Sequence, residues 1–251
     1  VINIAAIVNG LENPSVRVTL SLQHSTTVAF IFNAFDILMM YATTKLKSPW
    51  RIPLLMLEFG ISYGAIILSG TRPAFFIYPI IAVALLAMES RANKNFFVTL
   101  LFTTLVMATA VLYAFKPMLF SRMDALDNDI RKLQASDSTT SFGSRFAMLQ
   151  AAWHAGIESP LGQSAEQRAA IITKKIEANP LLEGARPFLT NHMHNEFLET
   201  FSERGVPGVA ILAWLFYALV ATATQKQQRN TSLLLITVSM FFYGMSDVIF
   251  Y

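Results

Sequence analysis

Six apolar runs, each near the twenty residues a helix needs to cross a bilayer, constrain this chain more than any other feature. They cover residues 25–43, 50–68, 73–88, 96–115, 206–224 and 231–251, the third being the shortest. Inside hydrocarbon every backbone N–H and C=O must find its partner within the segment, so runs of this length dictate helices. Hydrophobic residues make up 54% of the 251 and charged residues only 14%, too few to solvate an ordinary soluble domain of this size. The fold class that follows is an all-α integral membrane protein, a polytopic helical bundle.

The runs divide the chain. Residues 1–24, with the turn signal Asn13-Pro14, read as a loop or interfacial segment. Residues 25–115 hold four spans, 116–205 form one large loop, and 206–251 hold two more spans. Lys45, Lys47 and Arg51 lie between the first two spans, Arg91 and Lys94 between the third and fourth, and Lys226 and Arg229 between the last two. Basic residues in short loops stay cytoplasmic, so 1–24, the turn Ser69-Gly70-Thr71-Arg72 and the large loop share the opposite face. The net charge of +3 is small and dispersed, which argues against nucleic acid as a partner. The absence of cysteine excludes disulfides, thiolate metal ligands and a cysteine nucleophile. The first residue is Val1, not Met, and Tyr251 falls inside an apolar run, so the chain reads as a fragment of a longer protein.

The large loop has its own periodicity. Residues 122–134 predict an amphipathic helix, and Ser136 to Ser141 a Ser/Thr-rich linker. Ser144 can cap a second helix with Phe146, Leu149, Trp153 and Gly156 on one face, stopped by Pro160-Leu161-Gly162. A third spans 165–178, ahead of Pro180. The last is capped by Thr190 or Asn191, carries His194, Phe197, Leu198 and Phe201 on one face, and is closed by Gly205 and Pro207. On such a helix His192 points about 200° away from His194.

Several residues could carry chemistry. Asp127-Asn128-Asp129 has the Asp-x-Asp pattern by which some glycosyltransferases hold a metal, and equally suits a solvated helix face. His192 and His194 with Glu196 or Glu199 could supply metal ligands, but the His-x-x-x-His spacing that aligns two ligands on a helix is missing, and no metal is assigned. Asp36 and Glu58 fall within the first two spans, where carboxylates serve proton-coupled transport or bond to neighbours such as Asn33. Arg72 precedes Pro73 and Arg145 follows Ser144, each beside a predicted helix start where free N–H groups and the dipole favour anions. A guanidinium adds a planar fork suited to phosphate oxygens. Two such arginines on one face with a histidine pair point to a phosphate-bearing, lipid-linked substrate.

Gly70-Thr71-Arg72, then Gly143-Ser144-Arg145-Phe146-Ala147-Met148 running to Ser159-Pro160, then His194-Asn195-Glu196 with Leu198-Glu199 and Gly205-Val206-Pro207-Gly208, are similar in order and spacing to the O-antigen ligase and polymerase superfamily. Ser164 to Ala169 and Ser246-Asp247-Val248 resemble the enterobacterial ligases most. The resemblance implies a GT-C-like inner-membrane glycosyltransferase of a Gram-negative cell, of about twelve spans, several of them missing here. It implies inverting transfer of a finished glycan from undecaprenyl diphosphate to lipid A–core at the periplasmic face, without metal, ATP or other cofactor. It carries the family's essential arginines and histidine onto Arg72, Arg145 and His194, and a further arginine onto Arg17. His194 would be the general base, because an imidazole with an ordinary pKa of about 6.5 is mostly neutral at pH 7. The arginines would stabilise the departing diphosphate. Glu196 or Glu199 would orient the ring, Asn195 would bind sugar, and His192 and Asp247 are secondary candidates. A polymerase of the same superfamily is the near alternative. A lipid-glycan flippase or proton-coupled exporter working through Asp36 and Glu58 is the alternative of another class.

Overall fold

The computed structural model describes residues 2–12, 25–90, 94–225 and 229–250, and all regular structure among them is helical. The helices are α1 (Ile2–Glu12), α2 (Ser25–Thr44), α3 (Arg51–Leu68), α4 (Arg72–Glu89), α5 (Lys94–Ala114), α6 (Lys116–Gln134), α7 (Ser141–Glu158), α8 (Ala165–Ala178), α9 (Glu196–Ala223) and α10 (Thr231–Gly244). A 3-10 segment, Pro180–Phe188, lies between α8 and α9. Five of the described helices, α2 to α5 and α9, are long and apolar enough to cross a membrane. The chain is therefore a polytopic helical membrane protein. Phe102, Leu105 and Val106 on α5, like Ile211, Trp214 and Tyr217 on α9, stay exposed, as a lipid-facing surface requires.

Three expectations need correction. Residues 2–12 form α1 instead of a loop, because the segment packs on α3 and Asn3 Nδ2 donates to Ser62 Oγ at 2.6 Å. The last apolar run is helical only to Gly244, so α10 has 14 residues and Asp247 sits in a turn beyond it. The second loop helix starts at Ser141, three residues before Ser144: Thr140 is its cap, its hydroxyl accepting from Gly143 N at 3.1 Å. The turn Pro14 belongs to lies outside the described residues.

The chain divides into two compact units. The first, residues 1–119 with 219–242, centres on α3, which packs against α1, α2, α4 and α5. Leu55, Phe59, Tyr63, Ile66 and Ile67 of α3 are buried. Tyr78 stacks on both Phe59 and Tyr63, and the three ring centroids lie 5.3 to 5.8 Å apart. Asp36, the buried acid of α2, accepts from Ser62 Oγ at 2.6 Å and from the Tyr78 hydroxyl, which ties α2, α3 and α4 together. Beyond the end of α2, Lys45 meets Glu89 at 2.5 Å, and that hydrogen bond raises the ammonium above its ordinary pKa.

The second unit, residues 120–218 with 243–251, is built from the loop helices. Its core is Ala147, Met148, Ala151, Ala152 and Ala155 of α7 against Ile172 and Ile176 of α8, with Leu182, Ala185 and Met193. The buried face of α7 is thus its small-residue face, whereas Phe146 and Trp153 are exposed. Small residues let partners approach closely: a Cβ at Gly156 would lie 2.4 Å from the Phe201 ring. The Ser/Thr stretch is a fitted joint. Ser138 is buried and its Oγ accepts from Gly184 N at 2.9 Å, and Thr139 donates to Asp137 from hydroxyl and amide, holding that carboxyl below its usual pKa. The α8 boundary follows from a capping box, Ser164 with Gln167.

Candidate active site

The site grows from one loop, residues 189–195, and from the cap that ends it. Asn195 Oδ1 accepts from Phe197 N at 3.1 Å and Leu198 N at 3.0 Å, the N–H groups left orphaned at a helix start. Asn195, not Thr190 or Asn191, is therefore the cap of α9, and both histidines precede the helix. His194 has φ 50, a left-handed backbone that no helix accommodates. The chain between them is not helical, so alternate residues face alike. Met193 inserts fully buried into the core, and the flanking His192 and His194 emerge together. Their rings meet edge-on at 4.4 Å. The expected opposition of the two histidines around a helix is overturned.

Asp247 arrives from the turn after α10. Its Oδ1 lies 3.0 Å from His194 Nδ1 and 3.7 Å from His192 Nδ1, and accepts from Val248 N at 3.0 Å. A carboxylate facing Nδ1 keeps the proton on that nitrogen and leaves the lone pair on Nε2. The side chains of His194 and His192 remain 18% and 14% exposed, while that of Asp247 is 8% exposed, so the acid is sealed and the rings reachable. Phe188 closes one side, its ring 6.0 Å from that of His194.

The two glutamates assigned to ring orientation do something else. Glu196 Oε2 accepts from Ile249 N at 2.7 Å and Phe250 N at 3.0 Å, which fastens the segment that bears Asp247. Glu199 Oε2 accepts from Met193 N at 2.6 Å, and its Oε1 meets Arg168 Nη1 at 2.7 Å. Arg168, only 1% exposed, also reaches Glu203 at 3.0 Å and donates from Nη2 to the carbonyl of Asn191 at 3.0 Å. The Arg168–Glu199 pair therefore grips the histidine loop on both sides of His192. Asn195 likewise serves the loop: its Nδ2 donates to the Met245 carbonyl at 2.8 Å. The sequence signal for Arg168 as a structural anchor is that Arg168, Ile172 and Ile176 fall on one helical face, an arginine heading an apolar stripe.

The arginines are distributed. Arg145 is half-buried in the second turn of α7, one turn further in than a start at Ser144 would put it. Arg72 is the first residue of α4, after Thr71 in extended conformation (φ −83°, ψ 98°) and before Pro73. It belongs to the first unit, and Arg145 with the histidine cluster to the second. Arg17 lies outside the described residues.

Two further pieces serve structure. Asp127 pairs with Arg131 one turn on at 2.7 Å, and Asp129 accepts from Phe142 N at 3.2 Å, so the Asp-x-Asp stretch is an exposed helix face with structural contacts. At Gly205 the backbone breaks α9 (φ 62°, ψ −159°). A Cβ there would lie 2.3 Å from the Pro160 carbonyl oxygen, while Val206 N donates to that same oxygen at 2.8 Å. Glycine is required at this kink, which laces the Pro160 turn to the middle of α9.

The profile of the O-antigen ligase family matches residues 55–215. The O-antigen ligase of Escherichia coli is 33% identical over 184 residues, covering 72% of this chain and 43% of that protein. An uncharacterized protein of Haemophilus influenzae is 27% identical over 158 residues, covering 60% of this chain and 39% of its own. The chain thus spans about two-fifths of the length of the curated relatives it matches.

Proposed function

The chain belongs to the O-antigen ligase family, and on that premise we propose that it carries the catalytic part of a metal-independent glycosyltransferase. In this proposal the whole protein joins O-antigen polysaccharide from undecaprenyl diphosphate to the lipid A–core oligosaccharide. It works in the inner membrane with its site at the periplasmic face, in keeping with the lysine and arginine bias of the short loops. The observation that carries the reading is the Asp247–His194 hydrogen bond, with His194 accessible and its Nδ1 occupied.

The chemistry runs from that bond. The acceptor hydroxyl gives its proton to His194 Nε2 as its oxygen attacks the anomeric carbon from the face opposite the diphosphate. The new C–O bond forms while the bond to the diphosphate breaks, which inverts the configuration. Asp247 stabilises the imidazolium that results and holds the ring in one tautomer. Charge grows on the leaving diphosphate, and Arg72 and Arg145, with Arg17 as a further contributor, are assigned to it in place of a cation. Glu199 and Arg168 act at one remove by fixing the loop, and His192 borders the same carboxylate.

The test is reconstitution of the full-length protein with both purified lipid-linked substrates, without nucleotide or added metal. Glycan joined to lipid A–core is the expected product. Elongation of the undecaprenyl-linked glycan instead would identify a polymerase. Movement of the donor across the bilayer without any bond formed would identify a flippase.

A further inference from the structure

His192, His194 and Asp247 form a second kind of constellation. Their three potential donor atoms, two imidazole nitrogens and a carboxylate oxygen, all lie within 4.8 Å of one another. Zinc takes these donors at about 2.0–2.2 Å in tetrahedral array, so neighbouring donors should stand about 3.3 Å apart. Asp247 Oδ1 lies 3.0 Å from His194 Nδ1 and 3.7 Å from His192 Nδ1, on either side of that value. The donors are also held in advance. Met193 is anchored in the core between the two histidines and gives its N–H to Glu199, while Val248 N supports Asp247 and Glu196 holds the following two amides. Three protein ligands leave the fourth position to water.

We propose that His192, His194 and Asp247 bind a zinc ion, and that its occupancy switches glycosyl transfer off. The binding needs only the geometry; the switching rests on the proposed role of His194 as general base. Coordination through Nδ1 requires the lone pair of that nitrogen. The single N–H proton of the neutral imidazole must then sit on Nε2, with no net gain or loss of a proton. An Nε2 that carries hydrogen donates, and no longer accepts, so the acceptor hydroxyl loses its base. Asp247 is drawn onto the metal in the same event and ceases to orient the ring. Magnesium, which prefers an octahedral shell of oxygens, should not replace zinc here.

The experiment uses the purified full-length protein. Zinc is titrated at free concentrations set by a chelator buffer; binding is read by calorimetry and by the visible absorption of cobalt put in its place, and transfer is assayed in parallel. Wild-type protein should bind one zinc per chain and lose transfer with the same midpoint, recover fully on chelation, and ignore magnesium. His192→Ala and His192→Asn, each compared with its own zinc-free rate, should need at least tenfold more zinc for half-inhibition, because even outer-shell changes cost about 10–100-fold in metal affinity. Zinc binding that is no tighter in the wild type than in these variants overturns the site, and the zinc-free rate in the same assay leaves the transferase reading standing. Tight binding with unchanged transfer overturns both the switch and the general-base role. Faster transfer with zinc overturns the proposal in favour of a metal-activated acceptor.

Discussion

Asp36 and Asp247 are buried to nearly the same degree, 4% and 6% exposed, yet their surroundings have little in common. Asp36 accepts hydroxyls from Ser62 and Tyr78, so its partners are neutral groups on neighbouring helices. Glu58, nearby in the same unit, accepts from the Thr43 hydroxyl at 2.7 Å. Both line a cavity of about 360 Å³ whose other polar walls are Asn3 and Ser62. Asp247 instead faces an imidazole, and its companions Glu196 and Glu199 hold backbone amides and a buried arginine. One unit uses carboxylates to fix helices against each other; the other uses them to fix a loop that presents a basic nitrogen. A buried carboxylate alone does not mark a working site. What distinguishes the second set is that Asp247 bonds the accessible ring itself, while Glu196 and Glu199 hold the segments on which Asp247 and that ring are carried.

The sharpest way to break this contrast is His194→Ala. Transfer should fall about 10²–10⁴-fold, the range of a positioned general base, while the protein still inserts and still binds the undecaprenyl-linked donor. Product on a gel, scored beside donor binding, is the measurement. Normal transfer by this variant would remove the ring from the chemistry altogether. Asp247→Asn should come next, with a loss of about a hundredfold or more, because an amide at Nδ1 can stabilise the wrong tautomer. Its donor affinity should be unchanged, which separates a ring-orienting acid from one that holds substrate.

Arg168→Met tests the loop clamp. It leaves Glu199 and Glu203 buried or half-buried without their cation, and removing one partner of a buried pair costs about 3–5 kcal/mol. Thermal unfolding in detergent should register this directly. Adding Glu199→Gln should recover part of the stability, since the neutral amide no longer needs the arginine. A single variant as stable as wild type would mean that the pair does not hold the loop.

Much of this was legible in the sequence, and what was hidden has a common cause. The predicted first four spans end within two residues of α2 to α5, because apolar length and polar flanks set those ends locally. The third loop helix matches α8 at both ends for the same reason: Ser164 caps it and Pro180 follows it. The start of α9 was misplaced because Thr190, Asn191 and Asn195 are all competent caps, and the choice is made by Asn195 reaching the Met245 carbonyl fifty residues away. The end of α10 depends on Glu196 taking the amides of Ile249 and Phe250. His194 and Asp247 are each visible as candidates in the sequence, but nothing local joins residues 53 apart. Periodicity reports which face of an element is apolar. It is silent about long-range hydrogen bonds, and those build the site.

Asp36→Asn should have the smallest effect, and it carries the decision between enzyme and transporter. The amide keeps one acceptor oxygen for Ser62 or Tyr78, and the hydroxyl left over can rotate to accept from the new NH2 group. The cost should then be about 1 kcal/mol, the net worth of a single hydrogen bond. For a chain of this length such a loss lowers the unfolding midpoint by about 2–4 °C. The transfer rate should stay close to that of the wild type, since Asp36 belongs to the first unit and the histidine cluster to the second. A proton-coupled exporter predicts the reverse, because an amide cannot load or release a proton. If Asp36→Asn inserts and folds but is inactive, while His194→Ala works normally, the working carboxylate lies among the membrane helices and the histidine loop is only architecture.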